Sequence, residues 1–224
     1  GELSTPMIPT SGITVGVLSD SYNNLGSASA DVASGDLPSN VNVLQDDSGG
    51  GTDEGRAMMQ IVHDLAPGAS LAFASADFGE AAFAQNIKNL AKPLAQGGAG
   101  ANVIVDDVYY LDEPFFQDGI VGQAIDDVVA NSNVSYFVAA GNFDSQAYDS
   151  TNVNFMSDTI SGISANPASY YNFNPTGTAS DRQSFTLAAN GLAGDGVTLA
   201  LQWDQPYYTT SGVTTNLTLY IVDA

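Results

Sequence analysis

The chain has 224 residues, of which 25 are acidic and four basic, giving a net charge of −21 at neutral pH, with 44 % hydrophobic residues and no cysteine. That balance excludes a nucleic-acid backbone and an anionic membrane surface as ligands, because both require clustered Lys and Arg. It leaves two uses for the carboxylates. One is solubility in an extracellular or saline medium; the other is calcium binding in acidic loops, although no Asp-x-Asp-x-Asp-Gly loop occurs.

In chain order, residues 1–12 (GELSTPMIPTSG) carry no basic segment followed by an apolar one, so no leader is visible, as in a mature chain whose leader has been removed. Ile13–Ser19 and Val41–Leu44 read as short strands. Asp53–Leu65 reads as a helix, with Ala57, Met58, Ile61, Val62 and Leu65 on one face. Ala66-Pro67-Gly68 ends it, because proline cannot continue a helix and glycine caps it. Ser70–Ala76 is the next strand, and Glu80–Leu90 a helix with Phe83, Ile87 and Leu90 inward. Asn102–Asp106 is a buried strand. Gln117–Ala130 is a helix with Ile120, Val121, Ala124, Ile125, Val128 and Val129 inward, and Ser135–Ala140 a last strand. No run of eighteen apolar residues occurs, so no membrane span is expected.

Strands separated by helices of this length imply crossovers and a parallel sheet with helices on both faces, an α/β fold. In such sheets the site lies beyond the carboxyl ends of the strands. Asp20, Asp106, Asp107 and Asn142 stand at such ends. Near residue 150 the composition shifts to Ser, Thr, Asn, Gly and Tyr without helical period. Two regions follow: 1–150, α/β, and 151–224, a small antiparallel, sandwich-like region inserted in or appended to the first. Asp181–Ala188, Val197–Trp203 and Asn216–Val222 are its expected strands.

Three segments carry the chemistry. They are Val15–Asn23 (VGVLSDSYN), Thr52–Ala76 (TDEGRAMMQIVHDLAPGASLAFASA) and Val134–Asn142 (VSYFVAAGN). In this order they resemble the subtilisin–sedolisin clan of serine peptidases. The resemblance covers about two thirds of the chain and implies a subtilisin-like parallel sheet. Clan members place a catalytic Asp after a strand of the first kind. Asp20 is the nearest match, one residue later than an ungapped alignment, where Ser19 falls. Subtilisins open the next helix with His-Gly-Thr; this chain has Glu54-Gly55-Arg56, then Ala66-Pro67-Gly68-Ala69. Sedolisins also use a Glu on this helix and add an Asp one turn later, where this chain has Met58. The resemblance thus implies catalytic roles for Asp20 and Glu54. It also implies an oxyanion-donating side chain at Asn142, as in subtilisins.

The lone histidine, His63, lies nine residues after Glu54 near the end of the helix, where a cation is favourable for structural reasons alone, so a Ser-His-Asp triad is not available from this chain. A carboxylate base works if a second carboxyl shares its proton. Asp107 is a candidate for that second carboxyl, or for binding a basic side chain, beside the plain alternative of an acidic surface loop. Likewise Asp53 and Glu54 suit a helix start behind a Thr52 cap.

The clan's nucleophile motif, G-T-S-x-A, does not occur in the 224 residues. The resemblance therefore implies part of a secreted or cell-surface bacterial endopeptidase, whose serine is expected beyond Ala224 and whose isolated fragment is expected to be inactive. Its expected partners are a polypeptide substrate and the remainder of its own polypeptide. No cofactor is required by this chemistry, and calcium is the ion its acidic loops would take. The alternative is a non-catalytic, peptidase-like scaffold for adhesion or assembly. A nucleotide-binding fold is disfavoured, because Gly49–Gly55 lacks the lysine of a phosphate loop.

Overall fold

A computed structural model describes residues 10–143, 147–159, 169–186, 197–206 and 212–222. They divide into two compact units, Gly1–Gly141 with Ala200–Ala224, and Asn142–Leu199. The first unit is built on five parallel strands: β1 (Thr14–Ser19), β2 (Asn42–Gln45), β3 (Ser70–Ser75), β4 (Val103–Asp106) and β5 (Ser135–Val138), in the order β2-β3-β1-β4-β5. Helices α1 (Ala28–Ser34), α2 (Glu54–Leu65), α3 (Glu80–Ala91) and α4 (Ile120–Ser132) connect them in turn. The α/β class expected from the alternation is the one observed.

Period-two alternation along the strands builds two separate cores. Val15 and Val17 of β1 and Leu71 and Phe73 of β3 face one side, where they meet Met59 of α2, Leu37 and the half-buried Val32 of α1. Leu18, Ala72, Ala74 and Ile104 face the other side, where they meet Phe83, Ile87 and Leu90 of α3 and Val121, Ala124 and Val128 of α4. The β3–β4 and β4–β5 crossovers run one way along the sheet with their helices on the second side. The β1–β2 crossover runs the opposite way with its helix on the first side, so it has the same hand. The β2–β3 crossover, through α2, runs the same way as β3–β4 but lies on the first side. It has the opposite hand to the other three. Parallel crossovers share one hand in about 98 % of cases, so the connection carrying α2 is the exceptional one.

The rotation of α2 departs from the expected stripe. Gly55 and Met59 face the sheet, whereas Ile61 and Leu65 are exposed. The cause is local: a Cβ on Gly55 would collide with Phe73 Cε2 and sit 3.0 Å from both Ser19 Cβ and Ser21 O. The glycine lets the first turn lie directly on β1 and β3, and this contact sets which residues follow it inward. Within α4, Ile120 and Val129 are likewise exposed while Val121, Ala124 and Val128 are buried. Helix α1 has no counterpart in the sequence reading. Its seven residues offer one buried side chain, Ala28, and too short a pattern to reveal a period.

In the second unit the expected antiparallel character appears at other residues. β6 (Phe155–Met156) pairs with β7 (Tyr170–Tyr171), Phe155 opposite Tyr171. Tyr171 stacks edge-on with Phe173 at 5.0 Å and Phe155 at 5.9 Å, and Tyr148 with Phe173 at 5.4 Å. The described residues of the three expected strands carry no strand; 187–188 of the first lie outside the described residues. Residues 216–222 belong to the first unit, and of the alternating Leu217, Leu219 and Ile221 the last two are exposed among the described residues.

Candidate functional site

Asp20 follows the last residue of β1 and lies across the start of α2. Its Oδ2 accepts Thr52 N–H at 2.5 Å and Thr52 Oγ1–H at 2.8 Å, and its Oδ1 accepts Glu54 N–H at 3.0 Å and Gly55 N–H at 3.5 Å. The Ser21 amide also donates to Oδ1. Burial pushes this carboxyl up, but the donors from Thr52, Ser21 and Gly55 together outweigh it and hold it below the usual 3.8. The first-turn amides of α2 are therefore capped from another strand. Thr52, expected as the cap, spends its hydroxyl on Asp20 instead.

Asp53 occupies the cap position with φ 61°, a left-handed conformation unusual outside glycine. Its buried carboxylate holds it there. Oδ1 accepts Ser21 Oγ at 2.9 Å and Asn24 N–H at 2.7 Å; Oδ2 accepts Leu25 N–H at 3.1 Å and Arg56 at 2.5 Å. Ser21 Oγ in turn accepts Asp53 N–H at 2.8 Å. Arg56 also reaches Asp31 of α1 at 2.8 Å and donates to Tyr22 O at 2.6 Å. Gly51 closes the arrangement, since a Cβ there would strike Ser21 Oγ and lie 3.1 Å from Asp20 Oδ2. The loop after β1 and the start of α2 are thus fastened as one block. Glu54, the first residue of α2, projects from it exposed.

Asp107 follows β4 on the same side of the sheet as Ser19 and α2. Burial raises its carboxyl; the Ser19 hydroxyl beside it opposes the rise, while the Glu54 and Asp20 carboxylates add to it. Neither Ser19 Oγ nor Asp107 Oδ1 has a hydrogen-bond partner of full geometry among the described residues. Asp106, one residue earlier, faces the other side. It is 2 % exposed, accepts Tyr136 O–H at 2.6 Å, and is pushed by burial to about 6. Adjacent carboxyls at the end of β4 therefore serve opposite faces of the sheet.

The structure brings Asp20, Glu54 and Asp107 to one end of the first unit. Asn142 is exposed and is the first residue of the second unit, following Gly141 with φ 81°. His63 sits in the last turn of α2, about 13 Å along the axis from Glu54. Sequence reading missed Ser21, Asp53 and Arg56 as the frame of the site. The signal was present in an arginine three residues after Asp53 in a chain with four basic residues. Among the described residues no group of three or more acidic or histidine side chains is arranged to hold a metal ion, and no helix is long and apolar enough to cross a membrane. Compared with protein-family models and with curated protein sequences, the chain matches none.

Proposed function

We propose that this chain supplies the acid–base half of a serine endopeptidase site in which a carboxyl pair, Glu54 and Asp107, replaces histidine. The observation that carries the reading is the placement of Glu54 by Asp20, whose Oδ1 accepts the Glu54 N–H at 3.0 Å, at the carboxyl end of the sheet where Asp107 is raised by burial and by both carboxylates. A serine from polypeptide outside these 224 residues attacks the peptide carbonyl. Its proton passes to Glu54, which shares it with Asp107, and returns to the leaving amine as the C–N bond breaks. Water then cleaves the acyl ester by the same proton route. Asp20 takes a positioning role, because a carboxylate engaged by this many donors and held below its ordinary pKa does not carry the proton. The acidic surface supports an extracellular setting.

The test is cleavage of an unfolded protein by the full-length polypeptide between pH 3 and 8, with E54Q and D107N beside the parent. The expected result is acid-favoured cleavage, lost by 100-fold or more (roughly) in E54Q, with an altered pH profile in D107N. Unchanged cleavage in E54Q would sink the reading, as would serine-dependent cleavage by the 224-residue chain alone. A second reading, a peptidase-like scaffold without chemistry, is supported by the complete use of Asp20 in capping α2. It predicts no cleavage by the full-length polypeptide at any pH.

A further inference from the structure

The two edges of the five-stranded sheet are built differently. β2 forms one edge. Its pairing with β3 is interrupted by a register shift between Val43 and Gln45, and Asp46 and Asp47 follow it directly. A bulge and adjoining charges are the usual means of keeping an edge from pairing with another chain. β5 forms the other edge and has neither. Its register with β4 is regular from Ser135 to Val138. Residues 128–143 contain no charged side chain, in a chain with 25 acidic and four basic residues.

This edge is apolar, and its backbone is open. Phe137 is 58 % exposed and Val138 61 %. Phe137 pairs with Val105 and so lies on the first side, where α2 rests on β1 and β3; Val138 pairs with Asp106 and lies on the second side. Ser135 N–H donates to Asn102 O and Ala139 N–H to Asp106 O, both towards β4. Alternate residues of a strand turn their backbone groups to opposite neighbours. Tyr136 and Val138 therefore present N–H and C=O outward, where no strand lies among the described residues.

We propose that this edge is the interface of a two-fold homodimer, in which β5 pairs antiparallel with β5 of a second copy about Phe137. In that register Tyr136 and Val138 of each copy exchange both backbone hydrogen bonds with Val138 and Tyr136 of the other. Phe137 stands opposite its own counterpart as a non-hydrogen-bonded pair, with Cα atoms about 4.5 Å apart. Opposed residues share a face, so the phenylalanines meet on the first side and Tyr136 meets Val138 on the second. One contact covers both exposed apolar side chains.

The charge distribution selects a second copy as the occupant. Each copy carries −21, so two copies repel wherever carboxylates face each other. A two-fold contact sets one patch against itself, and residues 128–143 are a patch without carboxylates. A basic partner would find nothing there to pair with. A four-residue strand alone buries less than the roughly 1,200 Å² of a stable interface, and α4 supplies more. Asp127 of α4 reaches Lys88 of α3 at 3.7 Å. Val129, about 200° round the helix from Asp127, stands on the flank away from α3 and is exposed. The two-fold brings these flanks, each about 20 Å long, alongside one another on the second side. Asp126 shares that flank, so salt should tighten the dimer. None of the residues of the proposed peptidase site takes part.

Sedimentation velocity of the full-length polypeptide from about 1 to 100 µM, at about 0.05 and 0.5 M NaCl, measures the association. A dimer is expected at the upper concentrations, tighter in the higher salt. V138P removes an outward N–H at an edge, where a strand tolerates proline, and F137D sets two carboxylates face to face. Each should raise the dissociation constant by roughly a hundredfold or more. V43D, at the opposite edge, should leave it unchanged. In the parent, the Tyr136 and Val138 amides should gain protection from hydrogen exchange as the dimer forms. A monomer at about 100 µM in the higher salt overturns the proposal, as does a dimer that V138P and F137D leave intact or that V43D abolishes. Protection of the Tyr136 and Val138 amides in a monomer would mean that a strand of the same polypeptide holds the edge, and would also overturn it. Should V138P fail to fold, F137D decides alone, since Phe137 belongs to neither core.

Discussion

Asp20 Oδ1 accepts the backbone N–H of Glu54 at 3.0 Å, so the residue just after β1 caps the helix of the β2–β3 connection. The proposed acid–base residue is therefore placed by the backbone that Asp20 holds. Asp20→Ala removes the acceptor for Thr52, Glu54 and Gly55 amides together. The expected cost is about 2 kcal/mol, from a lost cap and lost charge-assisted hydrogen bonds. Asp20→Asn retains an acceptor and should recover about half. Urea unfolding of the three chains measures both, and equal stability of D20A and parent would contradict the capping role.

Gly55→Ala tests the close approach of α2 to the sheet. The added Cβ meets Phe73 Cε2, Ser19 Cβ and Ser21 O, and the Phe73 ring is itself buried against Tyr22. Overpacking of this kind costs about 1–3 kcal/mol. Alanine has the better intrinsic helix propensity, so a destabilised G55A is informative about packing rather than propensity. A thermal midpoint at or above that of the parent would show that the helix is not pressed on β1 and β3.

Arg56→Met leaves Asp53 as a buried carboxylate without its cation. The guanidinium bridges Asp53 at 2.5 Å and Asp31 at 2.8 Å, and both partners and the arginine are largely shielded from water. Breaking one side of such a pair costs about 3–5 kcal/mol. Arg56→Lys keeps the charge but has no planar fork to span two carboxylates and Tyr22 O, so it should fall between. R56M is expected to free the left-handed Asp53 and blur the start of α2 by NMR. A stable R56M with unchanged Asp53 and Glu54 amide shifts would refute the assigned role.

The sheet and its helices were legible because period-two and helical patterns were long enough to be distinct, as in Ser70–Ala76 and Glu80–Leu90. What was illegible was set by tertiary contact. Which face of α2 turns inward depends on Gly55 touching Phe73 of the next strand, a tertiary contact invisible to a period count. The convergence of Asp20 and Glu54 was anticipated from resemblance, but Asp20's engagement with the helix amides follows from the exceptional hand of the β2–β3 crossover, which no local pattern encodes. Asp107 was read as open between two roles, since a carboxylate's neighbours across strands are set by sheet order. The polar second region misled because alternating Leu and Thr specify a strand only when another layer covers them.

Opposed titrations give the last prediction. Asp20 and Asp53 are held below their ordinary 3.8, burial opposing and hydrogen bonds prevailing, with Arg56 helping at Asp53. Groups lowered in the folded state add stability above 3.8 and lose it as pH falls through their folded values. Asp106 is raised by burial to about 6, and Asp107 is raised by burial with Glu54 and Asp20 adding to it. Groups raised in the folded state contribute most below 3.8, and stability falls as pH rises from there to about 6, where the loss from Asp106 is complete at about 3 kcal/mol. Unfolding free energy should therefore peak near about pH 4 and decline towards about pH 6, rather than being greatest at neutrality. General repulsion at a net charge of −21 has the same slope on the alkaline side, but it is screened by salt whereas a buried carboxyl is much less so. Urea melts from pH 3 to 8 at about 0.5 M NaCl separate the two. The parent should retain its alkaline decline in salt, and D106N should lose most of it. A decline that salt abolishes in the parent, or that D106N preserves in full, would place the pH dependence on the surface and not at the end of β4.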